Sequence, residues 1–291
     1  MKTPIAVLTA DIHARNTVPR CRVDDFVAAQ RRKLEYIRSN IPEGCLWLDA
    51  GDLFHTWRSQ PETEIMLLEI LYGVQFISIP GNHEIPYHNI NRLDSSSFSV
   101  LCAAGIIDYC SPCTVPVDDP PGFWGAMELK TGGLKIVILH GMVWPDRPPM
   151  AAMEGMAAVD VLALYPDADI ILTGHNHETF VVASGNRKLV NPGSLMRAAI
   201  DQIEHRPCYF VLYDDGSVEP VFIPCDANVF AAEAYAKAGE REDRMTAFVE
   251  RVQNTEGFAL SFEDNLRAYC QQNQVGPAVQ QEIHVAMEAQ Q

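Results

Sequence analysis

Ile5-Ala6-Val7-Leu8-Thr9-Ala10-Asp11-Ile12-His13 starts as an apolar run and ends on an acid and an imidazole. The run is too short for a signal-peptide core or a bilayer crossing, which needs about 20 apolar residues. It reads instead as a strand buried on both faces that delivers Asp11 and His13 to a loop. The arrangement recurs. Apolar runs at 45–49, 75–79, 136–139 and 170–173 lead into Gly51-Asp52-Leu53-Phe54-His55, Gly81-Asn82-His83-Glu84, His140-Gly141 and Gly174-His175-Asn176-His177. Helix-like segments at 25–37, 62–72, 97–104 and 150–164 lie between them. Strands alternating with helices predict an α/β fold. In open α/β sheets the ligand site lies beyond the carboxyl ends of the strands, so the five clusters are expected to converge.

Farther along, the pattern turns antiparallel. Residues 180–183 and 188–190 flank Gly185-Asn186, and 208–213 and 218–223 flank Asp215-Gly216, both hairpin signals. Residues 127–129 are placed to pair with 134–139 across Gly132-Gly133. After Pro224 strand signals stop, and 230–238, 244–252, 262–272 and 278–287 read as helices with acidic faces. The expected organisation is a catalytic domain over 1–225 and a helical C-terminal segment over 226–291.

Composition narrows the function. With 47% apolar residues in 291, the chain can bury a sizeable core. Its formal charge of −16 counts against autonomous tight DNA binding, which rests on neutralising phosphates. Eight cysteines without framework spacing point to reduced thiols and a cytoplasmic location. Cys110-x-x-Cys113 is a close pair without a second pair or a nearby His, which argues against a zinc site.

Carboxylate, amide oxygen and imidazole together suit divalent ions such as Mn²⁺, Fe²⁺, Co²⁺ or Zn²⁺. The Asp11/His13 and His175/His177 pairs sit two positions apart, so in extended backbone both members project to one side. One such cluster is easily dismissed as solvated loop residues. Five of them, each following a buried strand, point to a binuclear metal centre.

These five blocks resemble, in order, the D-x-H, G-D, G-N-H-[DE], H and G-H-x-H signature of the calcineurin-like metallophosphoesterases. The resemblance runs from about residue 5 to 223. It implies a four-layer αββα sandwich of two mixed β-sheets flanked by helices, here with a small C-terminal helical appendage. It also implies metal roles. Asp11, His13 and His177 would hold one ion, Asn82, His140 and His175 the other, and Asp52 would bridge them. His83 would face the phosphate, and a bridging hydroxide would attack phosphorus. Mn²⁺ is the expected ion, with Fe²⁺, Co²⁺, Zn²⁺ or Mg²⁺ as alternatives.

Within that family His55 resembles the extra histidine of the SbcD-like DNA-repair exonucleases, where it assists catalysis. Asn191-Pro192-Gly193-Ser194-Leu195-Met196-Arg197, followed by Glu204, is similar to a segment of the same branch. The resemblance implies a DNA exo- or endonuclease whose C-terminal helices dock an SMC-like ATPase of the SbcC type, with a homodimer also expected. Arg15 and Arg197 are the expected substrate contacts, with Arg20, Arg22, Arg58 and Arg92 as a basic rim. Trp57, Tyr87 and Trp144 follow metal motifs and are candidates for base stacking. The rival enzyme reading is a phosphodiesterase or phosphatase acting on nucleotides or other small phosphoesters. The acidic charge and the short C-terminal segment favour that reading. A non-catalytic scaffold is disfavoured by the complete ligand set.

Overall fold

The computed structural model describes residues 2–109, 123–146 and 155–231. In chain order the elements are β1 (Pro4–Thr9), α1 (Phe26–Ser39), β2 (Leu46–Asp49), α2 (Pro61–Leu71), β3 (Phe76–Ser78), α3 (Ser97–Ala103), β4 (Phe123–Thr131), β5 (Leu134–Gly141), β6 (Val143–Trp144), β7 (Met156–Ala157), α4 (Ala158–Leu164), β8 (Ile170–Gly174), β9 (Phe180–Ser184), β10 (Arg187–Asn191), β11 (Cys208–Tyr213) and β12 (Val218–Phe222). Ten of the strands form two five-stranded mixed sheets, ordered β12-β11-β1-β2-β3 and β4-β5-β8-β10-β9, and β6 pairs with β7 in a separate two-stranded sheet.

The alternation of side chains along each strand builds the layers. Ala6 and Leu8 of β1 face one way and meet Ile136, Ile138, Ile170 and Leu172 of the second sheet. Val7 faces the other way, with Phe26, Leu34 and Ile37 of α1 and Met66, Leu67 and Ile70 of α2. In the second sheet Val137, Leu139 and Ile171 turn outward onto Val161 and Leu162 of α4. The order is therefore helices, sheet, sheet, helix. A strand whose two faces are both covered must be apolar at every position, which is why the strands read as unbroken runs. Complete burial of each such Ile or Leu contributes about 1.5–3 kcal/mol.

Helix α1 starts where the Asp25 carboxylate accepts the Ala28 amide at 3.0 Å. Its buried residues Phe26, Ala29, Gln30, Lys33, Leu34 and Ile37 recur at helical spacing. Arg38 at its last turn donates to the Glu69 and Tyr72 carbonyls at 2.7 and 2.9 Å, closing the end of α2.

Two local expectations change. Residues 156 and 157, read within a helix at 150–164, form β7, because the Met156 amide donates to the Met142 carbonyl at 3.0 Å. The strand before Gly133 is longer than expected, spanning Phe123–Thr131. The Cys110/Cys113 pair and most of the expected C-terminal helices lie outside the described residues. The described part of the C-terminal segment stays on the catalytic body: Val229 and Phe230 are buried, and Ala231 donates to the Cys21 carbonyl at 2.9 Å. No helix among the described residues is long and apolar enough to cross a membrane.

Candidate metal centre

β1, β2, β5 and β8 run parallel within their sheets, and their carboxyl ends bring four of the five polar clusters together. The strand β3 adds the fifth. Imidazole Nε2 of His13 lies 3.1 Å from Nε2 of His177 and 3.9 Å from Asp11 Oδ1. On the other side His140 Nε2 is 3.1 Å from Asn82 Oδ1 and 3.5 Å from Asp52 Oδ1. Asp52 stands between the two groups, its second oxygen 3.7 Å from His13 Nε2. Two triads, Asp11/His13/His177 and Asp52/His140/His175, each bring their ligand atoms within 4.8 Å of one another.

The backbone that achieves this is not the extended chain expected from the D-x-H spacing. Asp11, His13, Asp52 and His175 have φ of 51°, 48°, 54° and 84°. Left-handed conformations at non-glycine residues cost of order 1–3 kcal/mol each and persist where surrounding structure over-determines them. Here the over-determination is visible. Asp11 N–H donates to the Gly51 carbonyl and His13 N–H to the Asp52 carbonyl, at 3.0 and 2.8 Å. The His175 amide donates to the Asp11 carboxylate at 3.0 Å. Gly81 is required because a Cβ there would sit 2.1 Å from Asp52 Oδ1.

Electrostatics and donor chemistry test whether divalent ions belong here. Asp11 and Asp52 are buried, and among the described residues neither is paired with Lys or Arg. Two buried carboxylates without a permanent counter-cation are costly. Burial raises the Asp11 pKa well above its usual value, with the neighbouring Asp52 adding to the effect and His140 opposing it. Burial also works to raise Asp52, but the charge and hydrogen bond of His140 outweigh it and hold Asp52 below the usual carboxylate range. For His140 burial lowers the pKa, yet Asp52 overrides it and pushes the imidazole up to about 10. Burial holds His13 well below its ordinary value and His177 below its own. His175 is pushed down to about 4 by burial and then by the His140 charge. Neutral imidazoles with available lone pairs beside two carboxylates are a divalent-cation donor set. The buried Nδ1 of His13 has no hydrogen-bond partner. The residues fit two ions.

Supporting contacts orient these ligands. His140 Nδ1–H donates to the Ala50 carbonyl at 2.7 Å, leaving Nε2 for the centre. Glu84 accepts the amides of Asp52, Phe54 and Gly81 at 3.1, 2.6 and 2.8 Å. The motif alone does not show this role, since Glu84 simply fills the last position of G-N-H-[DE]. The sequence shows only an acid three residues after Gly81. Asn191 donates to the Asn176 and Glu178 carbonyls, both at 2.6 Å, and shapes the loop bearing His175 and His177. A Cβ on Gly193, whose φ is +73°, would lie 2.6 Å from the His177 carbonyl.

The remaining expected site residues divide. His83 Nδ1–H donates to the His55 carbonyl, and its Nε2 lies 3.9 Å from Asp52 Oδ2. His55 Nε2 accepts from Arg15 at 2.9 Å. Burial, and then the Arg15 charge, push the His55 pKa down to about 4. Arg15 thus reaches the site through His55. Arg197 does not reach it. Its guanidinium donates to the Ile203 and Asp226 carbonyls at 3.1 and 2.6 Å and lines a different cavity. The cleft beside the centre, of about 910 Å³, is walled by His83, His175, His177, Trp144, Glu178 and Phe222, and runs on to Glu204 and Arg206.

No curated protein sequence matches the chain. Among solved structures, a conserved uncharacterized protein of Streptococcus pneumoniae described as a predicted phosphoesterase is 14% identical, with 76% of this chain and 98% of that one covered and a TM-score of 0.38. A novel archaeal phosphodiesterase is 15% identical, covers 77% of this chain and 100% of its own, and has a TM-score of 0.42. Vps29 of Entamoeba histolytica, solved with zinc, is 17% identical over 75% of this chain and 97% of its own, with a TM-score of 0.36. Residues 6–179 match the family model described as calcineurin-like phosphoesterase, and the chain belongs to that family.

Proposed function

We propose that the chain is a two-metal phosphodiesterase acting on compact phosphodiesters that place a single phosphate at the centre. The observation that carries this is the wall of the cleft. Leading away from His175 and His177 it presents Glu178, Asp201 and Glu204 together with the aromatic faces of Trp144 and Phe222. Carboxylates repel further phosphates, whereas aromatic faces accept an organic substituent. Arg206 is the one Arg or Lys among the lining residues described, and its guanidinium lies 4.2 Å from the centre of the Phe222 ring.

When bound, two divalent ions would supply Lewis acidity, lowering the pKa of water and neutralising charge on the phosphoryl oxygens. The chain's own residues do the rest. Asp11, His13 and His177 would hold one ion, and Asn82, His140 and His175 the other, with Asp52 between them. His83 is fixed through Nδ1, so Nε2 is the atom presented to the phosphoryl group. Protonated there, it donates to the leaving oxygen. His55 positions His83 with its carbonyl, and Arg15 fixes the His55 ring.

A second reading has its own observation. Trp57 and Tyr87, which follow the second and third metal motifs in the sequence, have rings 5.8 Å apart, and Tyr87 is 72% exposed. The Arg92 guanidinium lies 5.3 Å from the Tyr87 ring centre. Such a patch favours stacking of an unpaired base, as a DNA nuclease would need, with residues 226–291 docking an SMC-like ATPase.

One assay separates them. The full chain loaded with Mn²⁺ is tested on an aryl phosphodiester, on cyclic nucleotides and on labelled single- and double-stranded DNA over a salt series. Small diesters should be hydrolysed faster than DNA at every salt concentration. Efficient DNA degradation with inert small diesters overturns the first reading in favour of the second.

A further inference from the structure

A second cavity, of about 290 Å³, lies between α1 and the segment that follows β12. Arg22, Arg32, Lys33, Arg197, Tyr36 and Cys225 line it. In a chain of formal charge −16 this is an unusual gathering of cations. Two of the four are already neutralised. Arg22 makes a paired contact with the Asp24 carboxylate at 2.8 and 2.7 Å, and Arg32 pairs with Asp226 at the exposed mouth at 3.0 Å.

The other two are not. Lys33 is 7% exposed and donates to the Leu195 carbonyl at 2.9 Å. Arg197 donates only to the Ile203 and Asp226 carbonyls. Among the described residues neither forms an ion pair with a carboxylate. Burial depresses the Lys33 pKa, Cys225 opposes it and the neighbouring Arg197 and Arg22 charges add to the lowering, which leaves it at about 8. A buried cation without a counter-anion is costly, and such a charge is normally paired.

The cavity is separate from the metal centre. The peptide at Leu195 forms the wall between them, its carbonyl accepting from Lys33 and its amide donating to the Asp11 carbonyl at 3.2 Å. Two uncompensated cations call for a dianion. A phosphate group carries a charge of about −1.5 to −2 near neutral pH and three acceptor oxygens, and Arg and Lys are the residues that bind it.

We propose that this cavity is a binding site for a small phosphate-bearing anion, held by Lys33 and Arg197 with Arg22 beside them. The half-buried Tyr36 ring and the side chains of Ile223 and Val229 give the apolar side of the cavity for any organic substituent.

Cys225 supplies the reporter, because the residue lines the cavity and is exposed, with its thiol donating to the Ile223 carbonyl at 3.2 Å. Alkylation of Cys225 by iodoacetamide in the full chain is followed by peptide mass spectrometry. The added anions are inorganic phosphate, methylphosphonate (a phosphate monoester mimic that is not hydrolysed), acetate and chloride, at matched ionic strength. Phosphate or methylphosphonate should slow alkylation roughly tenfold at a concentration ten times its dissociation constant, with acetate and chloride without effect. Stronger protection by methylphosphonate assigns the site to monoesters, and stronger protection by phosphate assigns it to the free ion. Arg197→Gln and Lys33→Met should each abolish protection, read as the ratio of each variant's rates with and without the anion, since the Lys33 charge also acts on the Cys225 thiol. The proposal falls if no phosphate-type anion protects beyond chloride, or if protection persists in both folded variants.

Discussion

The backbone amide of Asp52 donates to the Glu84 carboxylate at 3.1 Å, while the Asp52 carboxylate accepts the His83 amide at 3.0 Å. The second and third metal motifs are therefore stitched together in both directions. Glu84 also takes the Phe54 and Gly81 amides, so one buried carboxylate terminates two loops at once. Glu84→Ala orphans three buried N–H groups, each costing about 1–3 kcal/mol. Unfolding in denaturant should show a loss of at least about 3 kcal/mol, and metal affinity should fall with it. Glu84→Asp should recover part of both. A variant as stable as the parent would show that the three bonds carry no weight.

Asp52 belongs to one triad, and its second oxygen lies 3.7 Å from His13 Nε2 of the other, so Asp52→Asn should weaken both ion sites together. Two ions per parent chain and substoichiometric metal in the variant are the expected elemental analysis. Loss of one ion with the other intact would place Asp52 in a single site.

His83 offers a ligand atom within 4.8 Å of those of His13 and His55, a group without a carboxylate, and joins neither triad that contains Asp11 or Asp52. His83→Ala should keep both metals while turnover drops by roughly 10²–10⁴, the contribution of a positioned acid. If metal content falls as far as in His175→Ala, His83 is a ligand.

Proton release should accompany metal loading. His140 is held protonated up to about 10: burial lowers its pKa, but the buried Asp52 charge outweighs this. A metal ligand must give up that proton. His13, His175 and His177 are depressed and already neutral, so they add no proton near pH 7. Burial also raises the Asp11 carboxyl, which must likewise be deprotonated to bind metal, so affinity should rise with pH across the neutral range by up to tenfold per unit for each proton exchanged. Calorimetry in buffers of different ionisation enthalpy measures the exchange directly. A value of zero protons would refute it.

Much of this architecture was legible in the sequence, for a definite reason. Strands such as Ile170–Gly174 are covered on both faces, so an unbroken apolar run ending in polar ligands marks both the strand and its site. What escaped the sequence depends on contacts between distant residues. The left-handed turns at Asp11 and His13 are fixed by carbonyls of Gly51 and Asp52, and local spacing suggested extended chain instead. Met156 and Ala157 became a strand only because β6 offers them a partner. Arg197 follows a segment of familiar pattern, yet the Ile203 and Asp226 carbonyls draw it away from the metals.

The position of the domain boundary gives the last prediction. A boundary near Cys225 suggests cutting after Pro224, but Val229 and Phe230 are 2% and 4% exposed. Phe230 packs with Cys21, Ile200 and Ile203, and the Val23 amide donates to the Val229 carbonyl at 3.0 Å. Two truncations that both remove residues 232–291 isolate this short segment. The chain ending at Pro224 loses two buried side chains, each contributing about 1.5–3 kcal/mol, and should be less stable than the chain ending at Ala231 by roughly 3 kcal/mol or more. It also uncovers Arg22, whose guanidinium lies 5.5 Å from the Phe230 ring centre. Thermal and denaturant unfolding of the two proteins side by side make the comparison. Equal midpoints would mean that Val229 and Phe230 only rest on the body, and the boundary would then move back to Cys225.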